Sequence, residues 1–206
     1  SVARPDGDEL RRFDMSAGRP EPEAVVATPG YSSAMRHVID RSSGELLGLR
    51  LLTDARVNVW LTAALQQLQA NVDAALPGRI NVMQCAACDR LDVVPVYSYS
   101  DRAPGDFLLY RQKEDKWQRL GRQRPGIDAQ AMAPLQFHRI RARDGADLPV
   151  CVTLPAGEKR PRAAVVMVHG GPWSRGREWA WDADGQFLAS RGYVVVEPEF
   201  RGSTGY

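Results

Sequence analysis

Cysteine is scarce in this chain. Only Cys85, Cys88 and Cys151 occur in 206 residues, too few for the disulfide framework of a small secreted scaffold. Cys85 and Cys88 form a C-x-x-C, but no second Cys or His pair follows at ligand spacing and no thioredoxin-like pattern surrounds it. Both therefore read as ordinary strand or turn thiols, with no metal and no redox role. Long apolar runs are missing too. None approaches the roughly 18 residues of a membrane-spanning helix, so no membrane span is expected. Charge of one sign is likewise absent: 27 basic residues balance 25 acidic ones, for a net charge of +2. That balance excludes the clustered basic stripe of a nucleic-acid binder. The local run "EKRPR", Glu158 to Arg162, reads as a solvated turn. No G-x-S-x-G nucleophile elbow occurs anywhere. Sparse cysteine suits a cytoplasmic home, and a periplasmic or secreted one would need a signal peptide ahead of Ser1, since none follows it.

What is present is an ordinary globular composition, 44% hydrophobic and 25% charged, long enough to bury a substantial core. The chain opens without methionine and closes on Tyr206 inside a glycine-rich loop, which reads as a piece of something longer. Ser1 to Pro29 is loop-like apart from one short strand at "AVVAT". "YSSAMRHVIDRSSGELLGLRL", Tyr31 to Leu51, has two strand-like runs about a polar Ser-Gly turn and predicts a hairpin. Val59 to Leu76 predicts an amphipathic helix, with Leu61, Leu65, Leu68, Val72 and Leu76 on one face. Asn58 stands where a cap belongs and Pro77-Gly78 ends it. From Arg79 to Arg124, "RINVMQCAA", "DVVPVYSYS", "DFLLYRQ" and "KWQRLG" are four short strands separated by turn residues. That pattern matches one propeller blade, and an antiparallel sandwich would look similar locally.

Pro125 to Pro134 is a Pro-bounded connector. Beyond it the pattern changes: "LQFHRIRARDG" and "DLPVCVTLP" predict a β-hairpin. "AAVVMVHG" and "YVVVEPEF" read as strands buried on both faces, flanking a helix over Trp179 to Arg191 that ends at Gly192. Strand, helix, strand with such burial predicts a βαβ unit of an α/β sheet. The first of these strands runs into His169-Gly170-Gly171-Pro172. Glycines after a buried strand let the backbone turn sharply and expose amide N–H groups, which suits an oxyanion site. In α/β-hydrolases an HGGG-type loop at this place helps build the oxyanion hole.

Taken in order, "VVMVHGGPWS", a helix, and "LASRGYVVVEPEFRGSTGY" resemble the opening of the catalytic domain of the prolyl oligopeptidase (S9) family of serine peptidases, in its dipeptidyl- and acylaminoacyl-peptidase branches. "YSYSDRAPGDFLLYRQKEDKWQRLG" resembles a late propeller blade of those enzymes, and "RPGIDAQAMAPLQFHRIRARDGADLPVCVTLP" their propeller-to-hydrolase junction. The resemblance implies a partial all-β propeller with one inserted helix over residues 1–126, a connector over 127–134, and the N-terminal portion of an α/β hydrolase over 135–206. It further implies hydrolysis of short peptides through an acyl-enzyme by a Ser-Asp-His triad, without cofactor. The resemblance places the triad beyond Tyr206, which makes the chain alone inactive; a homo-oligomer stays open. An α/β-hydrolase esterase and a non-catalytic propeller-type binding module are the rival readings.

His169, Gly170 and Gly171 are the expected oxyanion loop, and His169 is not expected to be the catalytic base. Pro172, Trp173 and Arg201 are the candidate substrate contacts, although Arg201 is read first as pairing with an internal acid. Trp173, Trp179 and Trp181 are read first as core packing, and Glu197 and Glu199 as structural. His37 and His138 are expected to pack or face solvent.

Overall fold

The computed structural model describes residues 2–4, 7–32, 35–85, 92–155, 157, 163–171 and 173–206. Cys88, the run Glu158 to Arg162, and Pro172 lie outside them. The first 29 residues hold more structure than the single strand expected there. Strands β1 (Val2–Arg4), β2 (Gly7–Asp14) and β3 (Arg19–Pro29) form an antiparallel sheet. Charged residues occupy both faces of these strands, and most of β2 is only half-buried, so no apolar alternation marks them in the sequence.

The predicted hairpin forms as β4 (Arg36–Ile39) and β5 (Leu46–Leu52), joined by β6 (Arg56–Trp60) into a three-stranded sheet. The helix that follows, α1 (Ala63–Ala75), starts four residues later than its apolar spacing suggests. Val57, Val59 and Trp60 pair with Leu51, Leu49 and Gly48 of β5, and β-branched and aromatic residues with a ready partner strand favour the sheet. The cap is accordingly Thr62, whose hydroxyl accepts the Leu65 N–H at 3.4 Å, and not Asn58. Asn58 instead donates from Nδ2 to Gln69 Oε1 at 3.3 Å.

The four strands expected next are β7 (Ile80–Met83), β8 (Val93–Tyr99), β9 (Asp106–Arg111) and β10 (Lys116–Arg122). They form an antiparallel meander in the order β10-β9-β8-β7. Val94, Val96, Leu108 and Tyr110 point inward from β8 and β9 and join Leu47, Trp60, Leu65, Leu68, Val72 and Met83 in one core. Helix α1 is therefore packed in the same apolar cluster as both sheets. Trp60 Nε1 donates to Gln69 Oε1 at 3.1 Å, and Gln66 Nε2 to the Trp60 carbonyl at 2.9 Å, fixing the helix against the strand that feeds it. The outer strand β10 carries Lys116, Arg119 and Arg122 along an exposed edge, which discourages strand addition there. Cys85, buried beside this core, is disulfide-bonded. That corrects the expectation of an ordinary thiol, while Cys151 is free.

The second region begins with β11 (Leu135–Arg141) and β12 (Asp147–Thr153), the expected hairpin. Strand β13 (Ala164–Val166), α2 (Ala183–Ala189) and β14 (Val194–Pro198) complete a sheet in the order β11-β12-β14-β13. β13 and β14 are parallel with a helix between them, as the alternation of patterns predicts. Two details differ. Helix α2 starts at the Asp182 cap, not at Trp179. β13 is short and lies at the sheet edge, where Val166 and Val168 are 62% and 66% exposed. Among the described residues nothing covers its outer side, whereas Val195 of β14, with neighbours on both flanks, is fully buried. No helix among the described residues is long and apolar enough to cross a membrane.

Leu65 is fully buried where the two blade-like sheets meet α1. Leu65→Ala is expected to lower unfolding free energy by about 2–5 kcal/mol. Thr62→Ala is expected to lower it by about 1 kcal/mol. Denaturant titration monitored by Trp fluorescence checks both.

Candidate active-site loop

The loop that leaves the carboxyl end of β13 is built around one buried acid. Met167 N–H donates to the Val196 carbonyl at 2.9 Å, extending the parallel register by one residue before the chain turns away. Glu199, just beyond β14, is 2% exposed. Its carboxylate accepts the Gly176 N–H at 3.0 Å and the Arg177 N–H at 2.6 Å. Bonds from backbone N–H groups to an ionised carboxylate are among the stronger ones available to a chain. They fix the far end of the loop against the strand next to the one it leaves.

His169 lies inside this clamp. Its ring stacks on Phe200 at 4.3 Å and 16°. Nδ1 is 3.1 Å from the Gly170 carbonyl. Nε2 stands 3.0 Å from Ser203 Oγ and 3.3 Å from Glu199 Oε2. Serine, histidine and glutamate are thus close together, but both partners approach the same ring nitrogen. In a proton relay the acid orients the nitrogen opposite the nucleophile, so this trio is not arranged as one. Ser203 also sits in a turn after β14, not at a strand-to-helix elbow.

Among the described residues, neither the Gly170 nor the Gly171 N–H meets an acceptor. Ser174 Oγ donates toward the Gly170 and Gly171 carbonyls, at 3.0 and 3.1 Å, which turns those carbonyls inward. Gly171 has φ +72°, a conformation that glycine takes without strain. The pair of free amides is what an oxyanion loop requires.

The other candidates are dispersed. Trp173 is 81% exposed, so it does not pack in a core. It projects from the turn, where no strand lies beneath it. Trp179 and Trp181 are half-buried and tie the two regions by backbone, donating to the Asp54 carbonyl at 2.6 Å and the Ser100 carbonyl at 2.9 Å. Arg201 pairs with Asp144 of the same chain at the surface; the Ala146 N–H first, and Arg201 after it, hold the Asp144 carboxyl below its usual range. His37 and His138 are exposed. Glu197 is buried in a small cavity of about 200 Å3 lined by His169, Arg177 and Asp182. Burial pushes its pKa up, and Arg177, with Nε 3.1 Å from its Oε1, opposes the rise. Among the described residues no cluster of three or more His, Cys, Asp or Glu is placed to hold a metal ion.

Sequence reading missed the run Arg175–Glu178, which joins the two regions. Arg175 Nη1 reaches the Leu52 carbonyl at 3.4 Å, and its guanidinium lies 4.3 Å over the Tyr206 ring. Glu178 forks onto Arg56 of β6 at 3.0 and 3.2 Å. Tyr31 donates to Asp54 at 2.6 Å beside the same seam. Alternating charges in "SRGREW" are the only sequence signal, and they resemble any solvated turn.

No family model matches. The chain is 31% identical over 143 residues to dipeptidyl aminopeptidase BIII of Pseudoxanthomonas mexicana, covering 66% of this chain and 20% of that protein. It is 27% identical over 164 residues to dipeptidyl peptidase family member 6 of Caenorhabditis elegans, covering 69% of this chain and 22% of that one. The chain is thus similar to part of two proteins named as dipeptidyl peptidases, in keeping with the S9 resemblance read from its sequence. It spans about a fifth of the length of those relatives. The structure of Porphyromonas gingivalis dipeptidyl peptidase 4 superposes with a TM-score of 0.57 at 15% identity, over 97% of this chain and 28% of that one. The fold is mostly β-sheet with two helices and matches the propeller region of S9 peptidases, with open sheets.

A Cβ at Gly176 would lie 2.2 Å from the His169 ring. Gly176→Ala is therefore expected to displace that ring and to destabilise by about 1–3 kcal/mol. Gly170→Ala, whose Cβ meets nothing within 4 Å, is expected to fold normally. His169 ring resonances and thermal melts separate the two. Burial raises the Cys151 thiol pKa to about 12. It should stay protonated and unreactive to a disulfide reagent at pH 8 until the chain is unfolded.

Proposed function

We propose that this chain is the propeller-to-hydrolase portion of a serine peptidase that cleaves short peptides through an acyl-enzyme, releasing aminoacyl, acylaminoacyl or dipeptidyl units. In this reading residues 1–126 are propeller blades, 127–134 the connector and 135–206 the opening of the α/β-hydrolase domain. His169, Gly170 and Gly171 form the oxyanion side of the cleft. The observation that carries the reading is the pair of unsatisfied amides at the carboxyl end of β13, in a parallel β13–α2–β14 unit. Ligand sites of open α/β sheets gather at that end of the strands. Kinship to two dipeptidyl peptidases supplies the substrate class.

The same geometry argues that 1–206 holds the cradle and not the nucleophile. His169 shares one nitrogen between Ser203 and Glu199, and Ser174 is turned toward loop carbonyls. Serine, acid and base are then supplied by other parts of the enzyme. Acyl transfer by such a triad needs no cofactor. A propeller packed against the loop through Arg56 and Glu178 is well placed to restrict access to short chains.

Fluorophosphonate labelling of the native gene product tests this. The expected result is a labelled protein that yields peptides from residues 1–206, with the modified serine outside them. The purified chain alone should take up no label and release no chromophore from dipeptidyl substrates. Labelling of Ser203 or Ser174, or a native product that takes up no label, would overturn the reading.

A further inference from the structure

A second concave site lies on the blade side of the seam. Arg36 of β4 and Arg50 of β5 are direct cross-strand partners, so their side chains leave the same face of the sheet side by side. Like charges in that register destabilise a sheet. Arg56 of β6 lines the same cavity of about 410 Å3, and Glu178 closes its rim from the loop. Glu178 is already committed to Arg56 through two bonds. Among the described residues no carboxylate pairs with Arg36 or Arg50. Arg50 reaches one acceptor, the Met83 carbonyl at 3.1 Å, while its Nε is buried without any. Burial and the neighbouring Arg36 both lower the pKa of Arg50. Among the described residues, three guanidiniums and one carboxylate line this cavity, which leaves two positive charges without an acidic partner there.

We propose that the Arg36–Arg50–Arg56 cavity is an anion subsite that holds a carboxylate of a short peptide. Two adjacent guanidinium forks suit a planar carboxylate, and a volume of a few hundred Å3 fits a small ligand. The site touches the loop region directly: Glu178 lies two residues beyond Gly176, one of the two amides that Glu199 clamps. A peptide lodged here therefore meets Glu178, on the same loop as the Gly176 amide that Glu199 binds. The choice of a peptide rests on the peptidase reading above; the anion subsite itself rests on the arginines.

Calorimetric titration of the chain tests it with three probes: Ala-Ala-Ala, its C-terminal amide, and acetyl-Ala-Glu-Ala-amide. The free acid or the glutamyl peptide is expected to bind at least tenfold more tightly than trialanine amide, which has no carboxylate. Which of the two binds tells a terminal carboxylate from a side-chain one. Arg36 is exposed and bonds to nothing among the described residues, so Arg36→Met should melt like the parent and lose tenfold or more in affinity. Arg50→Met should lose at least as much. Binding of neither the free acid nor the glutamyl peptide more tightly than the trialanine amide, or an unchanged affinity in Arg36→Met, would overturn the subsite. Inorganic phosphate bound more tightly than either peptide, with the same dependence on Arg36, would overturn the peptide assignment. None of these titrations uses the serine chemistry. Carboxylate binding in a protein whose native form takes up no fluorophosphonate would leave the subsite standing and the peptidase reading fallen.

Discussion

The geometry of the second region depends on one buried carboxylate. Glu199 leaves β14 buried, and its carboxyl accepts two backbone N–H groups, with the His169 ring 3.3 Å away. A buried acid without such donors would cost several kcal/mol, so Gly176 and Arg177 are held against the end of β14. This leaves no room for a side chain at residue 176, where the imidazole fills the space.

The two regions are held together by polar contacts more than by a shared apolar core. The main apolar cluster lies within the blades and α1. Across the seam, Gln186 of α2 accepts the Ala133 N–H and donates to the Ala133 and Asp101 carbonyls. Asp101 in turn accepts the Leu135 N–H at 2.9 Å. These bonds bracket the connector on both sides, so the chain crosses from one architecture to the other without a free linker. Interfaces of this polar kind are typical between domains of one chain.

Much of this was legible in the sequence, and the failures share a cause. The meander β7–β10 reads from its spacing because each strand has one buried and one wet face, as in "DFLLYRQ", where Leu108 and Tyr110 are buried and Phe107 is exposed. The β13–α2–β14 unit reads from its two apolar runs. β1–β3 escape notice because neither face is dry enough to impose a period. α1 is placed four residues early because Val59 and Trp60 satisfy a helical stripe and a strand equally, and only the partner β5 decides between them. The buried face claimed for β13 fails for the same reason: apolar composition records what a strand tolerates, while its neighbours decide what is covered. The HGG loop was visible as a motif; the clamp that positions it was not. Glu199 is contributed by a strand end more than twenty residues away from the amides it binds.

Four residues, Arg175 to Glu178, show why the loop and the blades behave as one assembly. This run has a charged side chain for each of the elements it crosses. Arg175 goes to the Leu52 carbonyl and the Tyr206 ring, Arg177 to Glu197 and Asp182, and Glu178 to Arg56. Gly176 between them is stripped of a side chain, which lets the backbone approach His169. Each bond is modest: the Arg56–Glu178 pair is half-exposed on the arginine side and is screened accordingly. Their common effect is geometric. The hairpin carrying Leu52 and Arg56 is thus joined to the chain within two residues of the Gly176 amide that Glu199 accepts.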